Sequence, residues 1–136
     1  MPVTFFKWND SLSLKIPEID EQHKKLVDII NLLYEAFMDQ TANERIPEII
    51  HELNQYADYH FTTEEKYFDR FNYEQTEVHK KEHEKYIDKM KEFEEKYNRN
   101  PKALTYEMMN FLRNWWQDHI QGSDRDYQSC FKENGL

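Results

Sequence analysis

The chain has 136 residues and one cysteine, Cys130, so it has room for one domain and cannot form an intrachain disulfide. Its formal net charge of −9 would repel the phosphates of nucleic acids and anionic lipid surfaces, so we expect neither as a partner. Because there is neither a secretion signal nor the roughly 20 consecutive apolar residues of a membrane span, we expect a single-domain cytoplasmic protein that occupies residues 1–136.

The spacing of apolar residues predicts four helices. Glycine occurs only twice, which disfavours many short strands joined by tight turns. Apolar side chains recur at steps of three and four, which predicts helices at about residues 18–38, 44–70, 75–97 and 103–121. Short connections favour antiparallel neighbours. We therefore predict an all-α, up-down-up-down antiparallel four-helix bundle with an N-terminal arm and a short C-terminal tail.

Local signals indicate where the second helix begins and the fourth helix ends. Residues 41–44 (TANE) have the form of a capping box, and we place the start of the second helix near Asn43 or Glu44. Pro47 then falls in the first turn, where its missing N–H costs little. Gly122 follows the fourth apolar stripe and can adopt the left-handed conformation that closes helices. We therefore expect the fourth helix to end at this glycine.

Histidine is concentrated on the apolar stripes. Five of the six histidines lie on them, with at least one on each helix: His23, His60, His79, His83 and His119. A buried imidazole needs partners for both ring nitrogens, and five that converge from four helices are better explained by a shared metal site than by separate hydrogen bonds. The sixth, His51, precedes His60 by nine residues, which turns it to the opposite face, so we expect it in solvent.

Two pairs of polar residues have the spacing that lets two side chains of one helix bind the same metal centre. His60 and Glu64 are four residues apart, as are His79 and His83. Residues at this spacing lie one above the other on a helix face, so each pair is able to bind one centre.

A third pair, His119 and Asp124, has a different spacing. The two residues are five apart, which on a regular helix separates their directions by about 140°. They share a centre only if the helix ends or bends between them, and Gly122 lies in that interval. We therefore include both residues in the predicted site.

The number of candidate ligands indicates the kind of centre. Five imidazoles and two carboxylates exceed the four positions of a tetrahedral zinc, which would leave several buried ligands unused, but they suit two six-coordinate irons bridged by carboxylates. A ferritin-like oxidase would need two Glu-x-x-His motifs. The sequence has one, at residues 48–51, and it lies on the wrong face. Two irons are therefore favoured.

These motifs resemble the hemerythrin family, bacteriohemerythrins included. The resemblance is carried, in order and spacing, by residues 20–23 (DEQH), 60–65 (HFTTEE), 79–83 (HKKEH) and His119 followed by Asp124, and it extends over nearly the whole chain. It implies iron as Fe2+/Fe3+ with an oxo or hydroxo bridge, and O2 as the ligand. The implied iron ligands are His79, His83 and His119 on one iron, His23 and His60 on the other, and Glu64 and Asp124 bridging both.

The resemblance implies reversible O2 binding, for carriage or storage, at the iron with fewer histidines. Alternatives in the same family are a sensor of O2 or redox state and a scavenger that reduces peroxide or nitric oxide with an electron donor. Because the chain ends with the bundle, we expect a free-standing carrier or scavenger and not a receptor module. Between these two we favour a carrier, which is not an enzyme, although no sequence pattern reports the dryness of the pocket that decides it. Glu65 and Glu82 adjoin candidate ligands in sequence. We expect each of them to hydrogen-bond to a ligand or to face solvent, and not to bind the metal directly. Trp116 either narrows access to the site or faces outward with Trp115 inside.

Overall fold

The computed structural model describes residues 7–99 and 104–136, which form a bundle of four main helices. The helices are α1 (Pro17–Met38), α2 (Ala42–Phe71), α3 (Thr76–Arg99), α4 (Leu104–Trp115) and a short α5 (Gln128–Glu133). A π-helical segment, Trp116–Asp124, continues α4 directly. Helices α1 and α3 each pack against both α2 and α4. The predicted all-α four-helix bundle is confirmed, while the predicted start of the fourth helix at residue 103 lies outside the described residues.

The bundle has two apolar clusters with a polar layer between them. The larger cluster contains Leu26 of α1, Phe61 of α2 and Tyr86 of α3, and the smaller one contains Ile19 and Phe68. Along α1, His23 lies between Ile19 and Leu26, and along α2, Glu64 lies between Phe61 and Phe68. The candidate site therefore occupies a layer sealed by apolar side chains on both sides.

The N-terminal arm and the C-terminal tail close the smaller cluster. Leu14 and Ile16 of the arm are buried there, while residues 1–6 of the arm lie outside the described part of the chain. The arm is not uniformly extended, because residues 10–12 form a 3-10 turn. The short C-terminal tail forms α5 and buries Phe131 against Phe68 of α2. Both ends therefore help to cover the polar layer.

The capping box predicted for the second helix is wrong. Helix α2 begins at Ala42, and the Thr41 side chain makes no capping hydrogen bond to it. The Thr41 hydroxyl donates to the Asp39 carboxylate in the preceding turn. A threonine hydroxyl forms such local bonds as readily as a helix cap, so the motif alone does not decide between them.

Because α2 begins early, Pro47 lies in its second turn, where a regular helix would need its N–H. In a regular helix, that N–H would donate to the carbonyl of Asn43. The Tyr97 hydroxyl of α3 donates to this carbonyl at 2.9 Å. A side chain from the neighbouring helix therefore replaces the hydrogen bond that proline cannot make.

We expect Tyr97→Phe to lower the free energy of unfolding by about 0.5–1 kcal/mol, because the Asn43 carbonyl loses its donor. Urea denaturation would measure the change. Tyr106→Phe, at an exposed tyrosine, is the matched control and should leave the midpoint unchanged. Equal midpoints for both variants would mean that water replaces the Tyr97 hydroxyl without loss.

Candidate metal centre

The structure brings all seven predicted site residues into the polar layer. Each is buried, and each has a ligand-type atom within 4.8 Å of those of its group. The two groups are Glu64, His79, His83 and His119, and beside them His23, His60 and Asp124. The histidines divide between the groups as the resemblance implies, with three in one and two in the other. By contrast, His51 is exposed on the outside of α2.

Glu64 is the first of two carboxylates around which the histidines gather. Its Oε1 atom lies 2.9 Å from His83 Nε2, 3.3 Å from His60 Nε2 and 3.4 Å from His79 Nε2. His60 approaches because it lies one turn before Glu64 on α2, while His79 and His83 reach across from α3. One oxygen therefore contacts histidines of both groups.

Asp124 is the second such carboxylate. Its Oδ2 atom lies 2.9 Å from His23 Nε2 and 3.2 Å from His60 Nε2. Its Oδ1 atom lies 2.8 Å from His79 Nε2 and 3.0 Å from His119 Nε2. One oxygen therefore faces each group, which is the arrangement that a bridging carboxylate requires.

The π-helical segment explains how His119 and Asp124 share this layer. In a π-helix, residues five apart are joined by hydrogen bonds and lie on one face, so the pair meets without a break in the helix. The expected helix end at Gly122 is therefore wrong. Gly122 has no left-handed conformation, and a Cβ there would meet nothing closer than Gln117 O at 3.8 Å. The widened turn, and not the glycine, brings the two side chains together.

Several inner atoms of the layer are buried without a hydrogen bond. They include His79 Nε2, His119 Nε2, Asp124 Oδ1 and Glu64 Oε2. Although both histidine nitrogens lie at ion-pair distance from Asp124 Oδ1, none of these three atoms makes a hydrogen bond of acceptable geometry. Buried polar atoms are rarely left in this state unless an ion completes them. Imidazole nitrogens and carboxylate oxygens are a donor set that suits iron.

Electrostatics hold the two carboxylates in their ionised form. Burial acts to raise the pKa of Asp124, but His119 and the other histidines outweigh it and hold this pKa well below its usual value. Burial and Asp124 likewise oppose a fall in the pKa of Glu64, yet His60, His79 and His83 lower it. The layer therefore offers two negative charges to a cation.

Two histidines supply the matching positive charge in the metal-free protein. Burial opposes protonation, but Asp124 and Glu64 raise the pKa of His79 to about 10. Burial again opposes, but Asp124 and Glu82 raise the pKa of His119 to about 9. For His23 the balance is the reverse: burial lowers its pKa, and the hydrogen bond and negative charge of Asp124, which act to raise this pKa, do not outweigh burial. His79 and His119 therefore carry protons at pH 7 in the metal-free layer, at positions where a metal would bind.

Outer carboxylates orient two of the histidines. His83 Nδ1 donates to Glu65 at 2.9 Å, and His119 Nδ1 donates to Glu82 at 2.9 Å. Glu82 also accepts from the Ser123 hydroxyl at 2.8 Å. Because each Nδ1 is committed outward, each Nε2 is left to face the centre of the layer. Of the two roles expected for Glu65 and Glu82, the structure shows the supporting one, in each case for a histidine on another helix.

Gln22 orients His60 and was not identified from the sequence. The Nδ1 atom of His60 donates to the Gln22 side-chain oxygen. The Gln22 amide donates to Thr63 Oγ1 at 3.2 Å, and this hydroxyl donates to the Tyr59 carbonyl at 2.9 Å. The signal available was a glutamine beside the first apolar stripe, which alone does not reveal a partner on another helix.

Aromatic rings form the walls of the layer. Trp115 stacks on His119 with ring centroids 3.9 Å apart, and Phe61 stacks on His83 at 3.8 Å. Trp116 meets His23 edge to face at 6.1 Å. Both tryptophans are buried, so the alternative in which Trp116 faces outward is wrong, and each tryptophan contacts a different histidine.

Two surface cavities reach the layer from different sides. One of about 670 Å³ lies beside α3 and α5 and is lined by His79, Glu82 and Ser123, among others. The other, about 440 Å³, lies between α1 and α2 and reaches Gln22 and Tyr56. Each group of candidate ligands therefore has a cavity next to a residue that belongs to it or contacts it.

The fold and the set of donor atoms define a metal-binding protein built on a helical bundle. Comparison with known proteins gives the same classification. Residues 14–130 match the family model of the hemerythrin HHE cation binding domain. The bacteriohemerythrin of Clostridium acetobutylicum is 35% identical over 132 residues, with 90% of this chain and 98% of that protein covered. That of Pseudomonas paraeruginosa is 33% identical over 127 residues, covering 93% and 82%. The chain belongs to the hemerythrin family, whose members bind non-haem iron and O2.

A solved structure supports the fold separately. The crystal structure of a hemerythrin mutant superposes with a TM-score of 0.80 at 24% identity, covering 94% of this chain and 98% of that one. Among the described helices, none is both long enough and apolar enough to cross a membrane.

Proposed function

We propose that the seven side chains hold two irons with an oxo or hydroxo bridge and that the protein binds O2 reversibly, for carriage or storage. The observation that carries this proposal is the set of buried inner atoms that contact one another without hydrogen bonds. The iron ligands would be His79, His83 and His119 on one side, His23 and His60 on the other, and Glu64 and Asp124 between them.

The arrangement of the chain suits binding more than turnover. When bound, the irons would supply the electrons and the coordination position for O2. The group with two histidines provides fewer protein ligands, so an external ligand has room there. Trp116 and Tyr56 cover the histidines of this group with apolar rings that exclude water. Dry surroundings limit the protons that would let O2 leave in a reduced form, and we therefore infer that the protein is a carrier and not an enzyme.

The test is O2 cycling of the reduced, iron-loaded protein. Metal analysis should give about two irons per chain, as expected for two groups of imidazole and carboxylate ligands. A visible absorption band should appear when O2 is added, vanish when O2 is removed, and return on re-exposure. If O2 instead oxidises the protein irreversibly, carriage is wrong, and redox sensing or reduction of peroxide or nitric oxide with an electron donor should be assayed.

We expect Trp116→Leu to speed O2 entry, because a smaller side chain would open the wall beside His23. If Trp116 acts as a barrier, stopped-flow measurements should show association and dissociation rates rising by a similar factor, while the equilibrium affinity hardly changes. A changed affinity with an unchanged association rate would show that the indole stabilises the bound state instead.

A further inference from the structure

The hydroxyl of Tyr56 is buried and has no hydrogen-bond partner. Tyr56 lies where the larger apolar cluster meets the polar layer, because its ring stacks on His60 with centroids 5.2 Å apart and planes 20° apart. A buried phenol usually finds an acceptor, as Tyr86 does with the Leu53 carbonyl at 3.2 Å. The absence of an acceptor for the Tyr56 hydroxyl therefore requires an explanation.

A polar group that acts on this hydroxyl, the indole of Trp115, is itself a donor. The indole N–H of Trp115 is also buried without a hydrogen bond. Burial raises the pKa of Tyr56 well above its usual value, and the Trp115 indole acts in the opposite direction, as a donor to the phenol oxygen does. If Trp115 donates to this oxygen, the Tyr56 hydrogen still lacks an acceptor. Tyr56 and Trp115 together therefore have two hydrogen-bond donors but only one acceptor atom, the phenol oxygen.

Tyr127, the other tyrosine near the layer with an unpartnered hydroxyl, differs from Tyr56 in the group that lies beside that hydroxyl. The buried Tyr127 hydroxyl likewise makes no hydrogen bond of acceptable geometry, but burial and the nearby Glu64 carboxylate, which is an acceptor, raise the pKa of Tyr127 well above its usual value. Tyr56 is instead stacked on the group with fewer histidines, where an external ligand has room. The outer side of Tyr56 also lines the 440 Å³ cavity between α1 and α2.

We propose that the Tyr56 hydroxyl donates a hydrogen bond to the small ligand bound beside His60 and His23, with Trp115 as its positioning residue. This inference rests on the proposed function and adds the chemical class of ligand. The site favours small ligands that accept a hydrogen bond at the end away from the metal, such as reduced forms of O2 or small anions, over ligands with a weakly accepting end.

The first test needs no metal. In the metal-free protein, Tyr56→Phe removes a buried group that has no partner, so the urea midpoint should stay the same or rise. The matched control Tyr86→Phe removes a hydroxyl that donates to the Leu53 carbonyl, so its midpoint should fall. If Tyr56→Phe lowers the midpoint as much as Tyr86→Phe does, the hydroxyl has a partner within the fold and the proposal is overturned.

The second test is azide titration of the oxidised, iron-loaded protein, followed by visible absorption. Azide is a small anion with an accepting end, so Tyr56→Phe should bind it about tenfold more weakly than wild type, as loss of a hydrogen bond to a charged group predicts. Tyr86→Phe should bind azide like wild type. Equal affinities for wild type and Tyr56→Phe would overturn the inference while leaving the proposed function intact. A wild-type protein without iron or an azide band would overturn both.

Discussion

Asp124→Asn is expected to abolish binding of two irons and to lower the free energy of unfolding of the metal-free protein by about 3–5 kcal/mol. Asp124 contacts four histidines, and each of its oxygens faces a different group of candidate ligands. An amide keeps the shape but removes the charge that stabilises protonated His79 and His119. The loss is large because the uncompensated charges are buried.

Metal analysis and urea denaturation would measure the two effects of this substitution. Asp126→Asn is the matched control, since it lies two residues away and is exposed. We expect the control to bind iron and unfold like wild type. If Asp124→Asn retained both irons, the bridging role assigned to this carboxylate would be wrong. Retained stability with lost iron would mean instead that the metal-free layer does not depend on this charge.

Iron binding is expected to release about two protons per chain at pH 7.5, so that the apparent affinity for iron rises about 100-fold per pH unit. The protons come from His79 and His119, because their pKa values of about 10 and about 9 keep both protonated in the metal-free protein. A histidine must lose its proton before its nitrogen binds a metal. Each displaced proton contributes a factor of ten per pH unit.

Stability of the metal-free protein should change with pH in the opposite direction. Both folded-state pKa values lie above the ordinary histidine value of about 6.5, so the stabilisation is fully present below pH 6.5. It is lost as the pH rises through about 9 and 10. Alkaline conditions should therefore weaken the metal-free fold while they strengthen iron binding.

A pH indicator in weakly buffered, anaerobic solution would count the released protons, and urea midpoints at several pH values would follow the metal-free protein. His79→Gln should release about one proton fewer, because the amide carries none. His51→Gln is the control, because His51 is exposed and away from the layer. Iron binding without proton release would contradict the protonation states that we assign to His79 and His119.

The helices and most of the candidate site follow from local patterns in the chain. Apolar residues at helical spacing predict α1 to α4, because a helix in a bundle must bury one face. The five histidines stand out because a polar residue on such a face needs a partner. The pairs at four-residue spacing indicate shared faces for the same reason. The motifs also identify the hemerythrin family, which the family model confirms over residues 14–130.

Other features depend on contacts between residues far apart in the chain. The partnership of Gln22 with His60, and that of Tyr97 with the Asn43 carbonyl, join neighbouring helices, which no pattern within one helix reports. The unpartnered hydroxyl of Tyr56 is visible only once the surrounding side chains are placed.

At the end of the fourth helix, one part of the structure follows from the sequence and another part depends on tertiary contacts. The five-residue spacing of His119 and Asp124 indicates a departure from a regular helix, but a break at Gly122 and a π-helical turn both satisfy it. The choice depends on where neighbouring helices hold the other ligands, and the π-helical turn aims both side chains at them. Periodicity is a property of one helix and is written in its sequence, whereas the direction of a side chain toward a shared centre depends on how all the helices pack.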